Sequence, residues 1–270
     1  MSEPLGEPLA RFGASSGAFT TRPVIAARRG VVTSGHYLAS DAGLHVLRQG
    51  GNAIDAGVAM GFCLAVLEPH LNGICGESPM LIHHAASGKT VAVNGQGVSP
   101  QAATIDWFRE RQIKLIPGDG LLACTVPSQV SNWIKALSEF GTMPLERVLR
   151  PAIDLARDGF PMYHGLRSAL VNLRQRFVDE WPGSADLYLR DGEPPQWGDL
   201  QRNEDWANGF ESLIEVERQR FFDQDGKAVF QRSFGDFGVR GRGRCDNYAV
   251  QAPGGEHRGP GLVECVSGLD

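Results

Sequence analysis

A thiol and an imidazole lie close together in the segment PHLNGICGESP, residues 69–79, where Cys75 follows His70. A cysteine in a glycine-bearing loop, with a histidine to take its proton, is the raw material of a nucleophilic hydrolase. The plainer reading makes Cys75 a small residue in a tight loop, and it is preferred. Other reactive side chains also have bland readings. His83 and His84 are adjacent in a strand-like run, so they point to opposite faces and do not share a metal. Asp154 and Asp158 fall on one helical face, where two carboxylates usually meet solvent rather than a glycosidic bond. Trp107, Trp133 and Trp206 stand in helical contexts and read as packing. The Gly50 to Ala53 turn opens a helix, as phosphate loops do, but lacks the remaining glycines of a dinucleotide fingerprint.

These residues need elements to hold them. Leu38, Ala42, Val46 and Leu47 recur at helical spacing, predicting a helix over 38–49 that Gly50 and Gly51 terminate. Asn52 is placed to cap the next helix, with Asp55 in its positive first turn. That helix runs to about Leu67, before Pro69. It is apolar nearly all round (Ile54, Val58, Met60, Phe62, Leu64, Val66), which predicts burial between layers. Residues 69–79 hold two prolines and two glycines and read as irregular. Met80–His84 and Thr90–Asn94 read as a hairpin turning at Ser87-Gly88. A short strand over Val31–Thr33 is also expected. Further helices are expected over 105–112, 128–140, 145–157 and 163–177, with Thr104 and Thr142 as caps. Residues 1–29 read as an irregular arm.

Composition narrows the functional classes. The 270 residues are 42% hydrophobic and 21% charged, with a formal net charge of -5, which argues for a globular protein and against a nucleic-acid partner. Arg240, Arg242 and Arg244 form only a small run between glycines. No apolar stretch is long enough to span a bilayer, and Met1–Arg22 has no apolar signal core. A cytoplasmic location is the resulting expectation. The five cysteines (Cys63, Cys75, Cys124, Cys245, Cys265) show no CxxC spacing, so neither a disulfide framework nor a zinc site is expected. Cys63 reads as a buried, reduced thiol.

Several blocks in order carry a family resemblance: GGNAIDA at 50–56, EPH at 68–70, the glycine loop GICGE at 73–77, Met80-Leu81 opening a strand, VNGQGVSPQAAT at 93–104 and GDGLLACTVP at 118–127. Over residues 30–217 the sequence resembles the N-terminal, large-subunit part of the gamma-glutamyltranspeptidase family. The resemblance implies an α/β (α+β) fold, part of an αββα sandwich of the N-terminal-nucleophile hydrolase type. It implies a self-cleaving precursor and an attacking threonine at the start of a small subunit. The substrates implied are γ-glutamyl amides such as glutathione. No cofactor and no metal are implied. The expected partners are a small-molecule amide and the small-subunit portion.

The sequence departs from the family pattern in informative ways. The threonine nucleophile is expected beyond these residues, so no catalytic residue is assigned here. Thr125 sits inside the VP-ending element and does not replace it. Where the family places a substrate-binding arginine in an R-E-x-A-P run, this chain has Gln96-Gly97-Val98-Ser99-Pro100. Gln96 is therefore the single substrate-binding candidate, and its neutral amide suggests another amide of a small acid. In the glycine loop, Cys75 and Glu77 stand where the family prefers glycine. After Glu217 the pattern changes. Nine of the chain's 34 glycines fall in residues 235–270, so 218–270 reads as a tail past a frame shift or lost coding sequence, unable to join a core. Two other readings stay open: a remnant that only binds, and a cysteine-nucleophile hydrolase using Cys75.

Overall fold

A computed structural model describes residues 25–221 and Val250–Gln251, with backbone alone from residue 218 onward. The chain divides into two units, the first ending at Val31 and the second beginning at Val32. Residues 25–31 of the first hold neither helix nor strand, and every element described belongs to the second. The arm read over 1–29 and the tail read over 218–270 fall largely outside the described residues.

Helix α1, Tyr37–Arg48, buries Ala39, Ala42, Gly43 and Val46, one stripe at helical spacing. It ends as its glycines dictate. Gly50 takes φ +93°, a region that favours glycine, and Gly51 N–H donates to the Val46 carbonyl at 3.1 Å. Helix α2, Ala53–Leu67, starts in a reciprocal capping box. The Asn52 side chain accepts from Ile54 and Asp55 N–H, and Asp55 accepts from Asn52 N–H at 2.9 Å. Buried residues circle α2, as its all-round hydrophobicity predicts, because α1, α4 (Gln129–Phe140) and α5 (Leu145–Asp158) pack around it. Phe62 of α2 lies 4.4 Å from the Trp133 ring and 5.3 Å from that of Phe210. A methyl on the neighbouring Gly61 would come within 2.8 Å of Trp133, so the small residue there admits the indole.

Helix α5 is strongly one-sided, with Leu145, Val148, Leu149, Ala152, Ile153 and Ala156 buried. Each fully buried branched side chain contributes roughly 1.5–3 kcal/mol. That burial carries the helix across Pro151, which removes one backbone donor from its interior. The outer neighbour of α5 is α8, Glu204–Phe221. Short α3 (Ile105–Glu110), longer α6 (His164–Glu180) and α7 (Pro182–Tyr188) complete the α-helices among the described residues, and Leu121–Ala123 forms a single 3-10 turn.

The hairpin forms from β1, Met80–His84, and β2, Lys89–Val93, antiparallel with Met80 opposite Val93 and His84 opposite Lys89. The turn uses Gly88 at φ +65°. Ile82 and Val93 face the core, whereas Leu81 and His83 are exposed, the alternation of a sheet with one face packed. A two-residue strand pairs Phe160–Pro161 (β3) with Leu200–Gln201 (β4). Val250–Gln251 (β5) pairs antiparallel with the Ala92–Val93 end of β2. The fold is thus the expected α+β class, rich in helix with small sheets.

Three expectations need correction. Val31–Thr33 forms no strand among the described residues. Thr142 does not cap α5; Pro144 holds that position, and the Thr142 hydroxyl donates instead to Asp55 of α2 at 2.6 Å. The hairpin's second strand spans Lys89–Val93 rather than Thr90–Asn94, so Gln96 follows it by three residues. Thr104 does cap α3, accepting from Trp107 N–H at 3.2 Å.

Candidate functional site

The chain leaves β2 through Asn94-Gly95-Gln96-Gly97-Val98, and this exit is fixed by a compact polar lattice. Ser78 N–H donates to the Gly95 carbonyl at 2.9 Å. The hydroxyl of Ser128, buried at the start of α4, lies 2.9 Å from the Gly76 carbonyl and 3.0 Å from that of Gly95. One turn further along α4, Asn132 Nδ2 donates to Ser78 Oγ at 3.0 Å, while Gln129 Nε2 donates to Asn72 Oδ1 at 2.7 Å. Val126 N–H donates to the Val98 carbonyl at 2.8 Å. A side chain at Gly95 would collide with the Ser78 carbonyl and the Asn132 amide, and one at Gly97 with Thr125. The glycines are therefore required by close backbone approach, and three separated segments meet around the start of one helix.

Gln96 rides on this fixed backbone with its side chain exposed and its own N–H directed to Asn94 Oδ1 at 3.4 Å. A neutral amide in that position can donate to an anionic oxygen and accept from an N–H. It brings no charge to either. Thr125 is exposed beside Gly97, and its nitrogen is an ordinary peptide nitrogen within the chain.

The irregular loop 69–79 links this lattice to a second polar cluster. Tyr163, preceding α6, donates its hydroxyl to the Leu67 carbonyl at 3.1 Å. Its ring lies 4.8 Å from that of His36 and 6.3 Å from that of His70. The Glu68 carboxylate lies so near Gly35 that a methyl there would sit 2.7 Å from Oε2. His36 Nδ1 accepts from Leu38 N–H at 3.2 Å, so the ring proton of the neutral imidazole is on Nε2. His70 Nδ1 is buried without a hydrogen-bond partner. Burial holds both imidazoles below their ordinary value, at His70 against the opposing pull of Glu68. Burial, reinforced by the charge of Glu68, pushes the Tyr163 phenol up.

The remaining candidates fall where their bland readings put them. Cys75 is exposed as a residue while its thiol is partly desolvated, which with the field of Cys124 pushes it up, and it makes no hydrogen bond to His70; an activated nucleophile has the opposite character. Cys63 is fully buried with its thiol pushed up to about 12, first by desolvation and then by Asp154. His83 meets Thr90 at 3.0 Å and His84 meets Ser87 at 2.9 Å, each within the hairpin. Asp154 and Asp158 are exposed on α5. Asp154 lines a groove between α1 and α5 with Asp41, His45, Arg147 and Arg150, which includes none of the loop residues. Trp133 is core; Trp107 lies beneath the Arg111 guanidinium at 4.0 Å, and Trp206 packs on Phe210 at 5.6 Å. Among the described residues no three His, Cys, Asp or Glu side chains gather as a metal site, and no helix is long and apolar enough to cross a membrane. Cys245, Cys265 and the arginines at 240–244 lie outside the described residues.

Sequence reasoning missed Ser128, Asn132 and Tyr163. The first two are one helical turn apart at the start of α4, and polar residues on an otherwise buried face were the available signal. Nothing local marks Tyr163, whose partner Leu67 is 96 positions away.

The chain is similar in sequence and fold to known proteins. The chain is 36% identical over 197 residues to the glutathione hydrolase-like YwrD proenzyme of Bacillus subtilis (strain 168), an alignment covering 72% of this chain and 37% of that protein. It is 36% identical over 192 residues to the acylase ACY 1 proenzyme of Pseudomonas sp. (strain V22), covering 66% of this chain and 33% of the acylase. It superposes on the crystal structure of Helicobacter pylori gamma-glutamyltranspeptidase with TM-score 0.69 and 29% identity, covering 91% of this chain and 72% of that one. The chain thus spans about a third of the length of the curated relatives it matches. The gamma-glutamyltranspeptidase family model matches residues 39–228, which takes in the capping box of α2, the 69–79 loop, the hairpin and the Gln96 exit, and so this chain belongs to the gamma-glutamyltranspeptidase family.

Proposed function

We propose that these residues are the large-subunit part of an amide hydrolase or acyl transferase, acting on γ-glutamyl compounds or on a related small acidic amide. The observation that carries the reading is Gln96. Its side chain is exposed, and its backbone is locked between Gly95 and Gly97 by Ser78, Ser128 and Thr125. A residue held that rigidly, yet open to solvent, suits a substrate contact. Its family counterpart is an arginine that pairs with the substrate's α-carboxylate. With glutamine the pairing becomes a neutral hydrogen bond, worth less than a charge-assisted fork. The acylase and glutathione hydrolase-like names among the relatives fit an amide substrate with some latitude at that carboxylate.

The chemistry then needs a threonine hydroxyl with its own α-amino group as base. In this reading it comes from the portion of the relatives that lies beyond the match. The large-subunit residues position the acyl group; they do not attack it.

A complementation experiment tests the reading. The chain is co-expressed with the small-subunit portion of the YwrD relative, beginning at its nucleophilic threonine. The substrates are γ-glutamyl-p-nitroanilide and glutaryl-p-nitroanilide. The expected result is p-nitroaniline release by the co-purified pair and none above a heated control by the chain alone. Release by the chain alone would overturn the division of labour. A stable pair that cleaves neither substrate would favour a protein that only binds.

A further inference from the structure

The segment between α3 and α4 carries an apolar surface that the described residues leave uncovered. Leu115 is 85% exposed, Ile116 59%, Leu121 90% and Leu122 40%. Every residue from Lys114 to Thr125 is exposed, and the stretch holds no helix or strand beyond the 3-10 turn at Leu121–Ala123. From Leu115 to Thr125 the only charged side chain is Asp119. Arg176 of α6 takes its carboxylate in a fork at 2.6 and 3.2 Å. Arg176 is itself set by Glu180 at 3.0 Å and by the Trp181 ring, 4.4 Å from its guanidinium. A loop built only to meet water is polar. Loss of charge around large apolar side chains marks the core of a protein–protein contact. The segment is also fixed at two points, since Asp119 is held to α6 and Val126 N–H donates to the Val98 carbonyl at 2.8 Å.

We propose that Leu115, Ile116, Leu121 and Leu122 are a docking surface for the small-subunit portion. The inference rests on the reading above, which takes the attacking threonine from outside the matched residues. The match covers 37% of the YwrD relative and 33% of the acylase, so the larger part of each lies beyond it. Thr125, three residues after Leu122, packs so closely on Gly97 that a side chain there would collide with it. The apolar turn therefore adjoins the Gln96 exit. A threonine that reaches an acyl group held at Gln96 brings its own subunit against the residues beside Gln96, and on the 118–127 side these are Leu121 and Leu122.

Docking there removes apolar surface from water in the same step that completes the site. The competing occupant is a second copy of this chain, which would cover the leucines without bringing a nucleophile to Gln96. Leu121 is exposed enough to be replaced without disturbing the chain's own packing.

The test co-expresses the full chain with the small-subunit portion of the YwrD relative and reads assembly rather than catalysis. Leu121→Ser and Leu115→Ser should each lower the amount of small-subunit portion that co-purifies by about tenfold. Leu121→Met, which keeps an apolar side chain of similar volume, should match the parent. Urea midpoints of the three variants alone should equal that of the parent chain alone. In the parent pair, amides of residues 113–124 should exchange more slowly with deuterium than in the chain alone. Undiminished co-purification of the serine variants, or unprotected amides in a stable pair, would overturn the docking surface and leave the amide-hydrolase reading standing. Failure of the parent chain to pair would remove both. Self-association of the chain that is lost in Leu121→Ser while pairing persists would give the surface to a second copy and overturn the proposal.

Discussion

The carboxylate of Asp55 accepts the Thr142 hydroxyl at 2.6 Å, joining the first turn of α2 to a loop 87 residues later. Asp55 is fully buried, and it also accepts from Asn52 N–H at 2.9 Å, Thr142 N–H at 3.0 Å and Met143 N–H at 3.2 Å. One carboxylate thus satisfies the start of α2 and the turn into α5 together. Asp55→Asn would put amide hydrogens against these donors, and the expected cost is about 3 kcal/mol. Thr142→Val removes one donor and leaves the backbone bonds, so it should cost about 1 kcal/mol. Urea unfolding of both variants and the double mutant measures the coupling. Additive losses would show that the two residues do not share an interaction.

A second carboxylate works at the other side of α5. Glu217 is buried on α8 and accepts from Leu145 N–H, the first residue of α5, at 2.9 Å. An anion at a helix N-terminus is favoured by the exposed N–H groups and the dipole there. Glu217→Ala leaves that N–H in an apolar setting where no other side chain caps the helix. A loss of about 2 kcal/mol is expected. Glu217→Gln, which keeps an acceptor oxygen, should recover part of it. An unchanged urea midpoint in the alanine variant would show that α8 contributes nothing to α5 through this contact.

Helix periodicity made most of this scaffold readable. Leu38 to Leu47 and the all-round apolar run of α2 each predict their helices nearly to the residue, and Asn52 and Asp55 announce the cap. The Ser87-Gly88 pair announces the hairpin turn. Thr142 was misread because a threonine before a helix looks like a local cap, whereas its partner is fixed by tertiary packing. Glu217 was visible only as the last residue of the family-like pattern. The lattice around Gln96 was illegible for the same reason: Ser78, Gly95 and Ser128 are far apart in sequence, and only packing brings them together. The motif supplies Gln96 only as a candidate, and the structure puts it three residues past β2.

Stability should depend on pH through the His36 cluster. His36 and His70 both titrate below their ordinary 6.5 in the folded protein, chiefly because burial disfavours their charged forms. The unfolded chain therefore takes up protons first as pH falls. The stabilisation is fully present above about 6.5 and declines as pH drops through the lowered folded values. Tyr37, Tyr163 and Glu68 face the pair; Glu68 opposes the shift at His70 without reversing it. His36→Asn preserves a side-chain acceptor for Leu38 N–H but does not titrate in this range. Urea midpoints between pH 7.5 and 5.5 should fall less steeply in this variant than in the parent. Identical slopes would exclude His36 as a contributor.

The last prediction concerns what Gln96 does to specificity. Its backbone is held by Ser78, Ser128 and the Thr125–Gly97 contact, so a longer side chain there changes the reaching group and leaves its base in place. The side chain is exposed, which lets an arginine fit without repacking. Arginine would present a charged fork to a carboxylate where glutamine presents a single neutral donor. If the substrate's α-carboxylate meets this position, the gain should be about 1.5–3 kcal/mol in a desolvated site. That corresponds to roughly tenfold or more in kcat/KM. 4-Aminobutyryl-p-nitroanilide, which keeps the amine but lacks the α-carboxylate, should gain nothing. The comparison is made on the pair assembled with a small-subunit portion, as Gln96→Arg against the parent, with both substrates. A selective rise for the γ-glutamyl substrate places Gln96 at the carboxylate and explains its presence as a relaxation of γ-glutamyl preference. Equal changes for both substrates, or none, would put the carboxylate elsewhere and remove Gln96 from the site.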